Sequence, residues 1–555
     1  RARLPEVEQG REEEIIRTEK GERPFKPGEL KIALIYPNTY RVGMSSLGYQ
    51  LIYRLMNRHP DVGCERIFLD EKGQPTPSLE TGRRISDFDL LAFSISFELD
   101  YFNLPKLLRR AGTPLLSRDR GRYDPIVIAG GIAPSLNPEP IAELIDLFVV
   151  GEAEPLLPEL LDRFLEWKRR RIDRNGLLRS LSSLPGVYVP LFHEGERVRW
   201  LRAPDLDEVR PCSVFASSDA EFSDMWLIEL VRGCGRGCRF CAADFSHRPP
   251  RFLSVETALK LAKEGLRFTR KIGLLGATIS DHPEIEEIAW GLVRMGCRIS
   301  AASLRADSLT PSLLKALAEG GHRTLTLAPE TADERLKRTI NKPIGDDSLL
   351  RAIETALSAG IPNIKLYFMI GLPGEGADEV ESIAGLVGEV KKLMRPWGGK
   401  LSVTISPFVP KPHTPLQWAG MEDEKGLSEK LRFLRRELGR LKVELPSTSA
   451  RLAILEGLLS RGDRKLTPFI IDVAQGIPWR QALKRNKIDI DLYLGEKGVG
   501  DPLPWDFIDV GIDKGFLIEE YRRSKAGEIT PRCLPGVSCP GCGGCGFSRS
   551  IHRSR

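Results

Sequence analysis

The segment Met225-Trp-Leu-Ile-Glu-Leu-Val-Arg-Gly-Cys234-Gly-Arg-Gly-Cys238-Arg-Phe-Cys241 decides the fold of this chain. It joins an apolar run, typical of a buried strand, to three cysteines with the spacing C-x3-C-x2-C. Three thiolates on one short loop can hold three irons of a [4Fe–4S] cluster and leave the fourth iron open to a small ligand. The glycines between the cysteines would let the loop wrap closely around such a cluster, and Phe240 would shield it from water. The segment therefore predicts a metal centre at the end of a strand.

Strand–helix alternation continues after the cysteine loop. Six strand-like runs can be recognised, at Met225–Val231, Lys271–Leu275, Arg298–Ser303, Thr324–Leu327, Asn363–Ile370 and Leu401–Ile405. Six such units predict a partial (β/α)6 TIM barrel over residues 223–416. Barrels of this kind carry their chemistry at the carboxyl ends of the strands, which is where the cysteine loop falls.

A second alternating pattern precedes the barrel. Its strand-like runs are Lys31–Tyr36, Arg66–Leu69, Leu90–Ser96, Pro125–Ala129 and Leu147–Val150. This pattern predicts a doubly wound, Rossmann-like α/β domain over residues 29–165, with ligands bound at the carboxyl ends of its strands. The rest of the chain divides into a charged leader (1–28), a bridging segment (166–222), a mostly helical carboxyl-terminal region (417–530) and a cysteine-rich tail (531–555).

Composition and charge exclude several classes of protein. The 555 residues are 41% hydrophobic and 28% charged, which excludes global disorder. Residues 521–555 hold seven basic residues against Glu528 and so carry the whole net charge of +6. A uniformly basic nucleic-acid binder is therefore unsupported, although the basic tail permits contact with nucleic acid. Because the chain has no apolar run of about 18 residues and no signal peptide at its start, we expect no membrane span and a cytoplasmic location.

Cysteine usage indicates metal rather than disulfides. Seven of the ten cysteines fall in two tight groups, and Cys64, Cys212 and Cys297 stand alone. The second group comprises Cys533, Cys539, Cys542 and Cys545. Its four thiolates suit a second [4Fe–4S] cluster or structural zinc, and the C-x2-C-x2-C spacing favours the cluster over zinc or a metal-free tail. For the first group, the alternative is a zinc site with His247 as the fourth ligand.

The first cysteine motif followed by six strand–helix units resembles the radical S-adenosylmethionine (SAM) enzymes. In that superfamily the amino and carboxylate groups of SAM chelate the open iron, and an electron from the cluster cleaves SAM to a 5′-deoxyadenosyl radical. The SAM-binding residues that this resemblance implies are Phe240, Gly276, Thr278, Ser303, Arg305, Glu330, Ile370 and Gly371. The acidic residue that usually follows the second strand is missing here.

A doubly wound domain before such a barrel resembles the cobalamin-binding subgroup of the superfamily. From about Lys31 to Cys545 the chain resembles the B12-binding-domain radical SAM proteins with a cysteine-rich carboxyl terminus, including the stretches SPFVPKPHTPLQW and DPLPWDFID. The cobalamin-binding residues that this implies are Tyr40, Gly43, Gly130, Gly131, Gly151 and Glu152. Many cobalamin domains carry D-x-H-x-x-G, whose histidine ligates cobalt from below. Here Asn38-Thr-Tyr40-Arg-Val-Gly43 occupies that place, so Tyr40 replaces the histidine.

The resemblance implies a radical SAM enzyme that abstracts hydrogen from an unreactive carbon and methylates it through methylcobalamin. Two alternatives stay open: a cobalamin-free rearrangement or sulfur insertion that uses a carboxyl-terminal cluster, and a non-catalytic iron–sulfur electron carrier or scaffold. An electron carrier is disfavoured because it would not need a SAM pocket. The expected partners are an electron donor such as flavodoxin or ferredoxin and a substrate, for which RNA, a ribosomal protein and a small anion are all permitted. His413, just past the sixth strand, is either a substrate contact or a turn residue.

Overall fold

In the computed structural model, which describes residues 18–302, 304–446, 449–533 and 539–544, a six-stranded sheet forms the amino-terminal domain. Its spatial order is Val62–Leu69, Leu30–Thr39, Leu90–Ser94, Ile126–Gly130, Leu147–Val149 and Val187–Tyr188. The first five strands are parallel and the last is antiparallel. Because the second strand in the chain lies on one side of the first and the later strands lie on the other, the sheet is doubly wound. The predicted fold class of this domain is confirmed.

Helices cover both faces of this sheet. They are Tyr40–Gly43, Leu47–Arg58, Leu104–Arg110, Ile132–Leu136, Leu157–Arg170 and Arg174–Ser182. Ile32 and Leu34 point into one core, with Leu157 and Leu177, whereas Ala33 and Ile35 point into the other. Burial on both faces explains why the strands are continuously apolar rather than alternating.

The amino-terminal domain is larger than its predicted bounds. Val187–Tyr188, from the predicted bridging segment, adds the sixth strand, and Lys20–Gly21, from the predicted leader, pairs with Phe215–Ala216. Glu19 explains why the leader folds back, because its carboxylate accepts hydrogen bonds of 2.6 and 2.9 Å from buried Arg66. A guanidinium inside a core requires such a partner. Ordered structure therefore begins before residue 29.

Six parallel strands in chain order form the partial barrel. They are Met225–Arg232, Lys271–Gly276, Arg298–Ala301, Thr324–Glu330, Asn363–Ile370 and Leu401–Pro407. A parallel bridge from Leu304 to Leu327 joins the first three strands to the last three, and Arg251–Phe252 pairs antiparallel with the first. The surrounding helices are Ala242–Ser246, Val255–Gly265, Ile285–Arg294, Pro311–Glu319, Glu334–Thr339, Asp346–Ser358 and Ala377–Met394. The predicted six-unit barrel is thus confirmed.

The carboxyl-terminal region is helical, as predicted. Its helices are Glu424–Arg440, Ala450–Arg461, Thr467–Ala474, Trp479–Arg485, Ile490–Leu494 and Lys514–Ala526. Ile508–Asp509 pairs with Val198–Arg199 and so ties this region to the segment between the two domains. In addition to these helices, a four-residue helix lies at Leu206–Val209, and short 3-10 helices lie at Ile85–Asp87, Glu98–Asn103, Ser117–Asp119, Glu139–Ile141, Ile279–Asp281, Ala306–Ser308, Pro415–Trp418 and Arg464–Leu466. Within the described ranges, no helix is both long enough and apolar enough to span a bilayer.

Candidate active site

The cysteine loop leaves the first barrel strand through a glycine that no other residue could replace without strain. Gly233 has φ +85°, and a Cβ atom there would lie 2.3 Å from the His247 carbonyl oxygen. Further along the loop, Gly237 N–H donates a 2.6 Å hydrogen bond to Asp244 at the start of the next helix. These contacts fold the loop tightly enough to bring its three cysteines together on one side.

The three cysteines face one cavity of about 180 Å³ together with residues from the ends of other barrel strands. The lining residues include Cys234, Cys238, Phe240, Cys241, Thr278, Arg305, Glu330 and Lys342. The structure thus brings together all three predicted cluster ligands and four of the predicted SAM-binding residues. Only the fold can do this, because the lining spans more than a hundred residues of sequence.

Three of the other predicted SAM-binding residues do not line this cavity. Of those that the structure describes, Gly276, Ile370 and Gly371 are absent from its lining. Gly276 packs closely against the backbone of Val231, and Gly371 N–H donates to the side chain of Glu375. Ser303 lies outside the described residues.

Burial controls the protonation of the cysteine thiols. It raises the pKa of Cys234 and Cys238, and together with the charges of Cys238 and Asp244 it raises the pKa of Cys241 to about 12. For Cys238, the positive charges of Lys342 and Arg305 offset part of this effect. Thiols of this kind stay protonated until a metal displaces the proton.

A charged network holds Arg305 at the cavity. Its guanidinium donates to both carboxylate oxygens of Asp307, at 2.9 and 3.0 Å, and Nη1 lies 4.0 Å from Cys238 Sγ. Arg236 donates to Asp281 at 2.7 Å and to Asp307 at 3.2 Å. The guanidinium is therefore oriented before any ligand enters.

Glu330 and Lys342 form an ion pair in the cavity wall. The sequence predicts Glu330 as a site residue but not Lys342. Lys342 Nζ lies 2.7 Å from Glu330 Oε1, and Glu330 has a φ of +68°, which is strained for a residue other than glycine. Strain of this kind concentrates at functional sites. The sequence carries no pattern that singles out Lys342, which reaches the cavity from the loop after helix Glu334–Thr339.

The donor set at the cavity consists of thiols, which are the ligands that iron–sulfur clusters use. Cysteines that ligate a four-iron cluster each bind a different iron. His247, the alternative zinc ligand, lies outside the cavity lining. Its Nδ1 is in a 2.8 Å hydrogen bond with Ser246 Oγ, and its ring packs edge-on against Trp200.

A second cavity, of about 80 Å³, lies inside the amino-terminal domain. Helices Leu47–Arg58 and Leu157–Arg170 form one wall, and Gly130, Gly131 and Gly151 line it at the carboxyl ends of the strands. Most of the other lining side chains are aliphatic. Three of the predicted cobalamin-binding glycines therefore share one apolar cavity.

Tyr40 and Gly43 lie in the core instead of facing this cavity. The Tyr40 hydroxyl donates to Glu19 at 2.8 Å, and its ring packs edge-on against Phe68. A Cβ atom at Gly43 would lie 2.5 Å from the Phe68 ring. Burial and the charge of Glu19 raise the pKa of Tyr40 well above its usual range. The Tyr40 phenol is therefore held in the core and does not face the cavity that the three glycines line.

Glu152 joins the two α/β domains. Its carboxylate accepts hydrogen bonds from Arg251 at 2.7 and 2.8 Å, from Arg232 at 2.9 Å and from the Ala203 N–H at 2.8 Å. Burial alone would raise the pKa of Glu152, but the two arginines outweigh it and lower the pKa to about 2. Its oxygens already have these partners, so the structure supports a role between domains rather than the predicted contact with cobalamin.

His413 is a second contact between the domains. Its Nε2 lies 3.1 Å from the carbonyl oxygen of Leu136, and burial lowers its pKa to about 4. The imidazole is not part of the cavity lining among the described residues. The structure therefore supports the turn interpretation and not a substrate contact.

The neutral state of His413 predicts a pH-dependent stability. Its unfolded pKa is about 6.5, so the unfolded chain binds a proton that the folded chain rejects between pH 6.5 and 4. A contribution of up to about 3 kcal/mol to the free energy of unfolding is present above pH 6.5 and lost as the pH falls to 4. His413→Gln keeps a donor for Leu136, and urea unfolding at pH 7 and pH 5 should show a smaller loss than in the unaltered chain. An equal loss would contradict this assignment.

Comparisons with known proteins agree with this geometry. A partial barrel that gathers three loop cysteines around a cavity at its strand ends defines a radical SAM enzyme. The family described as Radical SAM superfamily matches residues 228–387, and that described as Radical SAM proteins, N-terminal, matches residues 48–190. An uncharacterized protein of Methanocaldococcus jannaschii is 30% identical over 476 residues, which cover 84% of this chain and 97% of that protein. This chain belongs to the radical SAM superfamily.

Two further relatives are more distant. An uncharacterized methyltransferase of Pyrococcus horikoshii is 24% identical over 274 residues, covering 46% of this chain and 56% of that protein. The cobalamin-dependent S-adenosylmethionine radical enzyme OxsB, solved with aqua-cobalamin bound, is 14% identical with a TM-score of 0.51, covering 90% of this chain and 81% of OxsB. At this identity, the likeness to OxsB shows a shared fold.

Proposed function

We propose that this protein binds a [4Fe–4S] cluster through Cys234, Cys238 and Cys241, cleaves SAM to a 5′-deoxyadenosyl radical and methylates an unactivated carbon with the help of cobalamin. The observation that carries the proposal is the shared cavity, in which the thiols of the first cysteine group face two cationic side chains, Arg305 and Lys342, and one anionic side chain, Glu330. An electron carrier would need the thiols but not the charged side chains.

The cluster would supply the electron that cleaves SAM, and cobalamin would supply the methyl group. The residues of the chain would bind and orient SAM. Arg305 offers N–H donors to a carboxylate, and Asp307 holds it in place. Glu330 offers an acceptor to an ammonium or hydroxyl group, and its ion pair with Lys342 holds the carboxylate in the cavity wall. Phe240 presents an apolar surface that limits the access of water.

The amino-terminal cavity supports the cobalamin part of the proposal. Its aliphatic walls suit an apolar aromatic group such as the benzimidazole of cobalamin. Gly131, at its edge, has φ +101°, and a Cβ atom there would lie 2.4 Å from the carbonyl oxygen of Ile95. The name of the Pyrococcus horikoshii relative agrees with methyl transfer, and the name of OxsB agrees with the use of cobalamin.

The direct test is SAM cleavage by anaerobically reconstituted protein. Full-length chain loaded with iron and sulfide, reduced with dithionite and given SAM should form 5′-deoxyadenosine. Formation would support radical chemistry at this cavity, and a loaded, reduced protein that leaves SAM intact would overturn it.

Arg305→Lys should weaken SAM binding. Lysine keeps the charge but loses the planar fork through which Asp307 orients the guanidinium, so we expect a loss of about 1–3 kcal/mol in the free energy of SAM binding, with unchanged iron content. Equilibrium binding of SAM to the oxidised, loaded protein measures this. Arg335→Lys, which alters a surface pair with Glu379, is the matched control. An unaltered affinity in Arg305→Lys would remove this arginine from the SAM site.

Bound cobalamin should lack a nitrogen ligand on its lower face. No histidine of the described residues lines the amino-terminal cavity, and Tyr40 is bonded to Glu19. Protein reconstituted with hydroxocobalamin and reduced to cob(II)alamin should therefore give an electron paramagnetic resonance spectrum without nitrogen superhyperfine splitting. Such splitting would show a nitrogen ligand on the lower face of cobalt and would refute this prediction. No retention of cobalamin at all would remove the methylation proposal and favour the cobalamin-free alternative.

A further inference from the structure

The carboxyl-terminal cysteine segment lies directly against the first cysteine loop. Cys533 N–H donates a 2.6 Å hydrogen bond to the carbonyl oxygen of Gly235, the residue after Cys234. A Cβ atom at Gly235 would lie 2.2 Å from the Cys533 carbonyl oxygen. The two backbones are therefore in contact at Cys533 and at the residue after Cys234, almost three hundred residues apart in sequence.

Buried hydrogen bonds hold this segment in place. Asn341 donates to the carbonyl oxygens of Gly237 and Thr530, at 3.0 and 3.2 Å, and accepts from Thr530 N–H at 2.9 Å. Arg239, in the cysteine loop, donates to Glu520 of the last helix at 3.0 Å, and both side chains are buried. Because buried charges and amides need such partners, the docking is specific.

A buried cation with an unused donor lies beside the second cysteine group. Arg248 is 2% exposed and pairs with Asp244, whose other oxygen accepts from Gly237 N–H in the first loop. A Cβ atom at Gly544 would lie 3.5 Å from both Arg248 Cβ and Cys542 Sγ, so the arginine and the buried thiol are neighbours. Arg248 Nη1 finds no hydrogen-bond partner in the part of the chain that the structure describes. An anionic group with sulfur acceptors would satisfy it.

We propose that Cys533, Cys539 and Cys542 bind a second iron–sulfur cluster that passes single electrons to the first cluster. The proposal rests on the proposed function, because it needs a cluster at the first loop. None of these three described cysteines lines the cavity that holds Cys234 and Arg305, which favours a relay over substrate binding. Cys545, the fourth cysteine of the group, lies outside the described residues.

The relay balances with one external reductant. A reduced ferredoxin- or flavodoxin-type protein gives one electron to the second cluster, which passes it to the first cluster and returns to its oxidised state. No proton moves and no covalent bond changes. Cys539 is exposed whereas Cys533 and Cys542 are buried, so the site has one side toward solvent and one toward the first loop.

The test separates the relay from the chemistry that it serves. Full-length protein with Cys533→Ser, Cys539→Ser and Cys542→Ser should keep about four of about eight irons. Reduction of the first cluster, followed by its electron paramagnetic resonance signal, should be lost with a reduced protein donor and retained with dithionite, which reaches the first cluster by itself. Dithionite-driven formation of 5′-deoxyadenosine should be unchanged. Cys297→Ser, which alters a lone buried cysteine, is the control.

Three results would overturn the relay. The first is unchanged iron content in the triple variant. The second is zinc in place of iron at the second site, since zinc carries no electrons. The third is equal reduction of the first cluster by the protein donor in the triple variant and in the unaltered chain. Arg248→Gln guards against a folding defect in the triple variant, because it keeps all cysteines. It should slow reduction by the protein donor by about tenfold, the scale on which outer-shell partners affect metal sites. Reduced clusters with no SAM cleavage would instead refute the proposed function and leave the relay standing.

Discussion

Replacement of Cys234, Cys238 and Cys241 together by alanine should abolish SAM cleavage and remove about half of the bound iron, four of about eight atoms. Among the described residues, these are the only cysteines that line the cavity beside Arg305 and Glu330. Iron content and 5′-deoxyadenosine formation, both measured on anaerobically reconstituted protein, check the two parts of the expectation.

A control is needed because alanine at buried positions also affects packing. Cys297→Ala removes another buried thiol, and it should leave iron content and cleavage unchanged. Retention of cleavage in the triple variant would place the cluster elsewhere and contradict the site. Loss of both iron and SAM cleavage in the control would show that the two measurements report folding instead of cluster ligation.

Glu152→Gln should destabilise the contact between the two α/β domains by about 3–5 kcal/mol, the cost of breaking a buried ion pair on one side. Arg232 keeps Glu154 and Glu229 as partners, so most of the effect should come from Arg251, which loses its bidentate carboxylate. The change should appear as an earlier first transition in urea unfolding, since a chain of several domains does not unfold in one step.

The matched control is an ion pair at the surface. Glu221 pairs with Arg41 at 2.8 Å, and both side chains are more than half exposed. Glu221→Gln should therefore leave the first transition almost unchanged. If both variants shift the transition equally, Glu152 does not join the domains in the way that its contacts indicate.

The sequence predicts the fold better than it predicts the surroundings of single residues. Two periodic strand–helix patterns suffice for both α/β domains, and the spacing of the first cysteine group suffices for the loop, because these signals are local. The positions of Tyr40 and Glu152 after strands of the first domain assign them to cobalamin, yet their partners Glu19 and Arg251 come from other segments. A motif position does not reveal which distant charge will compete for a side chain.

Lys342 is a residue of the cavity that the sequence does not predict. It follows a helix end in a loop without any periodic signal, and only the return of that loop to the barrel mouth brings it to Glu330. By contrast, Thr278, Arg305 and Glu330 follow strands, and the rule that chemistry gathers at the carboxyl ends of barrel strands is enough to bring them together.

The hydrogen bond between Cys533 and Gly235 also bears on how the protein is made. Chains emerge from the ribosome from their amino terminus and fold domain by domain in that order. The first cysteine loop is therefore synthesised, and can begin to fold, while the other five barrel strands and the helical region are still to be translated. The segment that contacts the loop is made almost three hundred residues later. Translation thus leaves an interval in which iron and sulfide can be delivered to an open loop, and the docking of this segment closes it.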